Sequence, residues 1–219
     1  VRRQRQMCIR DRLKVGSKCP KVTVRPKVEA SKNNSSLKFM GGVGLRSTHY
    51  PIIESALDHK NDLSVNSIKV DWFEALSENY IQSEGRPMEM LLKVREHFPV
   101  ALHGVSLSIA APEEINLRYL SELKKLYDRV EPFITSDHMC WTGHSAHNAH
   151  DLLPFPRTKK MLQFVSDKID QAQNFLERTM TFENVSTYVE FDENEMSEDE
   201  FLSELSSKTG CRLLVDINN

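Results

Sequence analysis

The sequence predicts an α/β fold, a (β/α)8 TIM barrel of which about six βα units are present, and three observations carry that prediction. Short β-competent runs alternate with amphipathic helical patterns from Phe39 onward, several of those runs end in His, Asp or Glu, and the last helical pattern begins on the cap residue Ser197 and stops at Gly210. A strand that delivers such a side chain at its C-terminal end and then feeds a helix is how a (β/α) barrel builds its active face.

The first strand is expected at about 39–46, where Val43-Gly44-Leu45-Arg46 is followed by His49, and it leads to a helix near 51–60. The second, about 67–74, ends in Glu74 with Glu78 and Asn79 just beyond; its helix spans 87–97, striped by Met88, Leu91, Leu92 and Val94. The third, about 99–103, ends in His103. Pro112-Glu113-Glu114 is expected to open the next helix, because Pro and acids suit a first turn, and Leu117, Leu120, Leu123 and Leu126 carry it to about 129. The fourth strand, about 132–136, runs into Asp137-His138 and then a long loop.

In that loop His144 and His147 are read as parts of a flexible segment, and Asp151 as the cap of the turn before Pro154. The following helix covers about 158–176, with Leu162, Val165, Ile169, Ala172 and Leu176 on one face. The fifth strand, Thr179-Met180-Thr181-Phe182-Glu183-Asn184, ends in a carboxylate and an amide. Ser197 caps the last helix, Gly210 stops it, and the sixth strand, Arg212-Leu213-Leu214-Val215, ends in Asp216. Eight strands close such a barrel, so about two βα units are expected to be absent and 39–219 to form an incomplete metalloenzyme domain. Residues 1–38, basic and aperiodic before the polar run Ser31–Ser36, are expected to be a disordered extension foreign to the native fold.

With 39% hydrophobic and 27% charged residues, the chain can bury a sizeable core. A formal net charge of −2 offers no footprint for nucleic acid or an anionic membrane. The absence of a long apolar run or a secretory signal pattern points to a cytoplasmic protein without membrane partners. Four scattered cysteines do not make a disulfide framework or a zinc ribbon, and Cys140 and Cys211 are read as reduced core residues.

Imidazoles and carboxylates on separate strand ends suit a first-row transition metal, and an oxygen-rich mixture with His favours iron or manganese over structural zinc. His49, His103, His138, Glu183 and Asp216 are more ligands than one metal uses, so two or three metals bridged by a carboxylate such as Glu183 is the economical reading. Glu74 and Glu78 are open between ligand, partner of a ligating His and surface carboxylate; His59 and His97 are read as facing solvent. No nucleophile elbow, Walker loop or dinucleotide fingerprint is present, so the site, if it is catalytic, must be led by metal.

A set of motifs appears in order. Val43-Gly44-Leu45-Arg46-x-x-His49-Tyr50, Trp72-Phe73-Glu74-x-x-x-Glu78-Asn79-Tyr80 and Leu102-His103-Gly104-Val105-x-Leu107-Ser108 precede Ser136-x-His138-x-x-Trp141 and His150-Asp151-Leu152-Leu153-Pro154-x-Pro156. Glu183-Asn184-Val185-Ser186-x-Tyr188, Met196-x-Glu198-x-x-Phe201-Leu202 and Thr209-Gly210-Cys211-x-Leu213-Leu214-x-Asp216-x-Asn218-Asn219 follow. Together they resemble the multinuclear non-haem iron enzymes that mature ribosomally made peptides, the MbnB/TglH-like family.

The resemblance, over about 40–219, implies a TIM barrel of the xylose isomerase and endonuclease IV type, two or three irons, and dioxygen as oxidant. It also implies a Cys-containing precursor peptide as substrate and a small partner protein that binds the peptide leader. It places His49, His103, Asp137, His138, Glu183, Asp216 and Asn219 at the metals, and Glu74, Glu78 and Asn184 as candidate catalytic residues. Asp137 stands where the family usually has Glu. Two other readings remain: a divalent-metal isomerase or phosphodiesterase of the same barrel superfamily, and a non-catalytic metal-binding protein.

Overall fold

The computed structural model describes residues 13–15, 40–58, 63–65, 68–144, 147–186 and 188–217. In chain order the elements are β1 (Leu13–Val15), β2 (Gly42–Gly44), a 3-10 turn (Ser47–His49), α1 (Tyr50–Asp58), β3 (Leu63–Val65), β4 (Ile68–Lys69) and β5 (Trp72–Leu76). A second 3-10 turn (Ser77–Asn79), α2 (Arg86–His97), β6 (Val100–His103), α3 (Leu117–Val130), β7 (Ile134–His138), β8 (Trp141–His144) and β9 (His147–Leu153) follow. Then come α4 (Lys159–Leu176), β10 (Thr181–Glu183), α5 (Glu198–Thr209) and β11 (Arg212–Leu214). The chain divides into two compact units, residues 1–75, 83–101 and 130–133, and residues 76–82, 102–129 and 134–219.

In the first unit β2 and β5 run parallel, Val43 opposite Phe73. A Cβ at Gly42 would collide with the Trp72 indole, so the close approach of these strands requires glycine there. Phe73 donates its N–H to the Pro99 carbonyl and Phe133 donates to Val100 (both 3.0 Å), which sets the approach to β6 beside β5. Ile53, Phe73, Leu91 and Val94 are fully buried, and Phe73 meets Phe98 edge-on with ring centroids 5.3 Å apart. β3 pairs antiparallel with β4 and with β1. The expected strand 67–74 is thus two pieces, and Glu74 lies inside β5 rather than at its end. Of the expected N-terminal extension, only Leu13–Val15 fall among the described residues.

In the second unit β10 lies parallel to both β7 and β11. Thr135, Ser136 and Asp137 of β7 and Phe182 of β10 are buried, and Met180, Phe182, Val165, Ile169 and Ala172 pack as its core. Parallel strands with helices between them are the α/β architecture expected from the sequence. Thr158 caps α4 by accepting from Met161 N–H at 3.1 Å. At α5 Ser197 and Glu200 form a reciprocal capping box, and Gly210 closes the helix at φ 68°, a left-handed conformation that favours glycine.

Two expectations are corrected in this unit. Pro112–Glu114 do not begin α3; the helix starts at Leu117, where Asn116 Oδ1 accepts from Tyr119 N–H at 3.1 Å. The carbonyls of Ala111 and Glu113 instead accept from the buried Lys168 ammonium, so a helical turn does not use them. Nor is the histidine segment a plain loop: β8 and β9 pair antiparallel, with His144 opposite His147. Trp141 Nε1 donates to the Pro154 carbonyl at 2.8 Å and Thr142 N–H to Ser108 Oγ at 2.9 Å, which anchors the hairpin at its base. Asp151 accordingly sits in β9, its carboxylate accepting from the Leu152 N–H next to it.

Candidate metal centre

Strand register assembles the centre. In the β7–β10 ladder Glu183 stands opposite His138, and Thr181 opposite Ser136. Side chains at opposed positions of neighbouring strands project to one face, and residues two apart along a strand share it. His138, Glu183 and Ser136 therefore lie on the same side of the sheet, and His103, the last residue of β6, joins them.

His103 Nε2 lies 3.4 Å and His138 Nε2 3.5 Å from the same oxygen, Glu183 Oε2. The three candidate ligand atoms fall within 4.8 Å of one another, and the two rings meet edge-on with centroids 4.5 Å apart. The other nitrogen of each ring is engaged. His103 Nδ1 is 2.8 Å from Ser136 Oγ, and His138 Nδ1 is 3.2 Å from the Gly104 carbonyl oxygen. A carbonyl only accepts, so His138 carries its proton on Nδ1 and turns a bare Nε2 toward Glu183.

Burial lowers the pKa of both imidazoles, that of His103 to about 3 with the neighbouring His138 as a second cause. The rings are neutral near pH 7, and no proton lies between His138 Nε2 and the carboxylate. A lone pair facing a carboxylate at 3.5 Å is repulsive unless a cation sits between them. Two imidazole nitrogens and a carboxylate oxygen, each ring oriented through its other nitrogen, are the donor set that such a cation requires. The residues present fit a first-row transition metal.

The remaining candidates are distributed around this triad. Asp137 is buried and, as the residue between Ser136 and His138, projects away from them. Its carboxylate accepts from the N–H groups of His138 (2.8 Å) and Leu107 (3.2 Å) and from the Ser106 backbone, while burial pushes its pKa well up. Glu78 Oε1 accepts from Val105 N–H at 2.9 Å and from the Tyr119 hydroxyl at 2.6 Å. Asn184 holds the chain at Asp216 with both ends of its amide: Oδ1 accepts from Asp216 N–H (2.8 Å) and Nδ2 donates to the Asp216 carbonyl (3.2 Å). The Asp216 charge favours protonation of His138, which places it in the electrostatic neighbourhood of the triad.

His49 and Glu74 belong to the first unit. His49 ends a 3-10 turn and its Nδ1 is buried without a hydrogen-bond partner, and burial raises the Glu74 pKa. Asn219 lies outside the described residues. Sequence reasoning missed Ser136, Gly104 and Tyr119. Strand alternation could have indicated Ser136, two residues before His138; a helical tyrosine such as Tyr119 carries no such signal.

A parallel α/β framework that presents two imidazoles and a carboxylate to one point defines the class, a candidate metalloenzyme. The family model described as RiPP precursor modification enzyme MbnB/TglH/ChrH matches residues 40–219, and the chain belongs to that family. A UPF0276 protein of Caulobacter vibrioides is 46% identical over 178 residues, covering 81% of this chain and 60% of the relative. One from Acaryochloris marina is 42% identical over the same shares, and one from Vibrio parahaemolyticus is 36% identical, covering 81% and 58%. The chain spans about three fifths of the length of these relatives.

Among solved structures, D-psicose 3-epimerase from Clostridium cellulolyticum with D-tagatose is similar at TM-score 0.47 and 9% identity, over 79% of this chain and 59% of that one. A D-psicose 3-epimerase structure in the presence of D-fructose gives TM-score 0.48 and 9% identity, over 80% and 62%. Neither likeness bears on the reaction.

Proposed function

We propose that the protein is an iron-dependent enzyme that uses dioxygen to modify oxidatively a cysteine of a ribosomally made precursor peptide. The observation that supports it most is the convergence of His103, His138 and Glu183 on one point in a member of a peptide-modifying family. His103, His138 and Glu183 would hold iron, one of two or three ions in the complete centre, which would supply redox capacity toward dioxygen and affinity for a substrate thiolate.

The chain's own residues hold and orient. His103 and His138 present Nε2, with Ser136 and Gly104 fixing the rings from behind. Glu183 has a second carboxylate oxygen and could hold more than one ion. Asn184 ties down the backbone on which Asp216 is carried, keeping that carboxylate near His138. In this reading the Asp216 carboxylate joins the triad in the metal shell. A leader-binding partner protein delivers the peptide, and the reaction takes place in the cytoplasm, where the buried thiols Cys140 and Cys211 remain reduced.

The test is mass spectrometry of a Cys-containing precursor peptide incubated with iron-loaded protein and air. A mass change confined to the cysteine, dependent on oxygen and lost in His138→Ala and Glu183→Ala, is expected. Unchanged turnover in those variants, or turnover with zinc and no oxygen, would sink the proposal.

A further inference from the structure

The segment just after His103 is held by carboxylates. Val105 donates its N–H to Glu78, and Ser106 and Leu107 donate theirs to Asp137. Three successive backbone amides of one turn are thus taken up by two side chains from other elements, Glu78 from the 3-10 turn after β5 and Asp137 from β7. Tyr119 of α3 donates its hydroxyl to the same Glu78 oxygen that Val105 uses, which steadies that carboxylate. The residue before these amides is Gly104. Its N–H donates to the Ser136 carbonyl at 2.7 Å and its own carbonyl accepts from His138 Nδ1. A Cβ at Gly104 would collide with the Asp137 carboxylate, so the turn and that carboxylate are packed without spare room.

We infer that Glu78 and Asp137 are positioning residues: by gripping the Val105–Leu107 amides they hold the Gly104 carbonyl against His138 Nδ1, which keeps His138 in the tautomer that offers Nε2 to the centre. The inference deepens the metal reading and rests on it for its functional meaning. A carboxylate held in this way does its work without touching metal or substrate. Outer partners of a ligating imidazole fix its tautomer and orientation, and their loss typically weakens metal binding by about 10- to 100-fold.

Long-range proton–nitrogen NMR correlations of the metal-free 219-residue chain read the His138 tautomer directly, and cobalt(II) titration of the same samples reads the affinity of the triad. The native chain is expected to show His138 protonated at Nδ1. Glu78→Ala should give mixed tautomers and about tenfold weaker cobalt binding, while Glu78→Gln, which keeps an acceptor oxygen for Val105, should restore most of both. Tyr119→Phe removes only the hydroxyl that steadies Glu78 and should move the His138 signals in the same direction by a smaller amount.

A His138 that remains wholly Nδ1-protonated with unchanged cobalt affinity in Glu78→Ala overturns the inference; if that variant does not fold, the same result in Tyr119→Phe does so. Equal defects in Glu78→Gln and Glu78→Ala also overturn it, since rescue by an acceptor is its core. The tautomer is read with neither iron nor peptide, so a tautomer response in a chain that binds no cobalt supports the positioning role and contradicts the metal reading alone.

Discussion

Burial and the neighbouring His138 ring bring the His103 imidazole from 6.5 down to about 3. Between those values the unfolded chain binds a proton that the folded chain refuses, so stability rises with pH through the window and is lost as pH falls from about 6.5 toward 3. The slope from one such group approaches ~1.4 kcal/mol per pH unit. Denaturant unfolding of the metal-free protein at pH 7 and pH 5 should show this loss, and His103→Asn should lose less; equal losses would contradict the burial of a neutral His103. At this scale His103, His138 and Glu183 are legible in the sequence, because each ends an apolar run that reads as a strand. Asp137 is not separable from His138 by type alone. It takes the strand's two-residue alternation to turn it away toward the Val105–Leu107 amides, and the pairing of Asn184 with Asp216 depends on β10 and β11 being neighbours.

Helices were the elements most open to reading. Ser197 and Gly210 are local signals whose geometry is settled within four residues, and the structure shows the N-cap and the stop of α5 where the sequence places them. Ser197→Ala removes a side-chain acceptor from the Glu200 N–H and should cost about 1 kcal/mol; thermal unfolding would register it, and an unchanged midpoint would show that the box does not hold α5. Non-local contacts account for the misses. Lys168, more than fifty residues from Ala111, takes the carbonyls of the segment read as the first turn of α3. The β8–β9 hairpin has few apolar residues to alternate, and it is held at its base by Ser108 and Pro154, which no periodicity reveals.

At the scale of the molecule, parallel strands alternating with helices match the α/β class read from the strand-end pattern. The family is carried by ordered motifs from Val43 to Asp216 and by the match over residues 40–219. Closure of the (β/α)8 barrel and completion of the metal shell are proposals for the protein at the length of its relatives, of which this chain spans about three fifths. No helix among the described residues is long and apolar enough to cross a membrane. The central claim is that His103, His138 and Glu183 belong to a multinuclear iron centre. Anaerobic metal analysis with Mössbauer spectroscopy, on protein carried to the full length of its relatives, tests it most directly. Two or more coupled irons per chain that respond to oxygen and are lost in Glu183→Ala are expected; zinc or manganese alone at full occupancy, indifferent to oxygen, would contradict an iron centre.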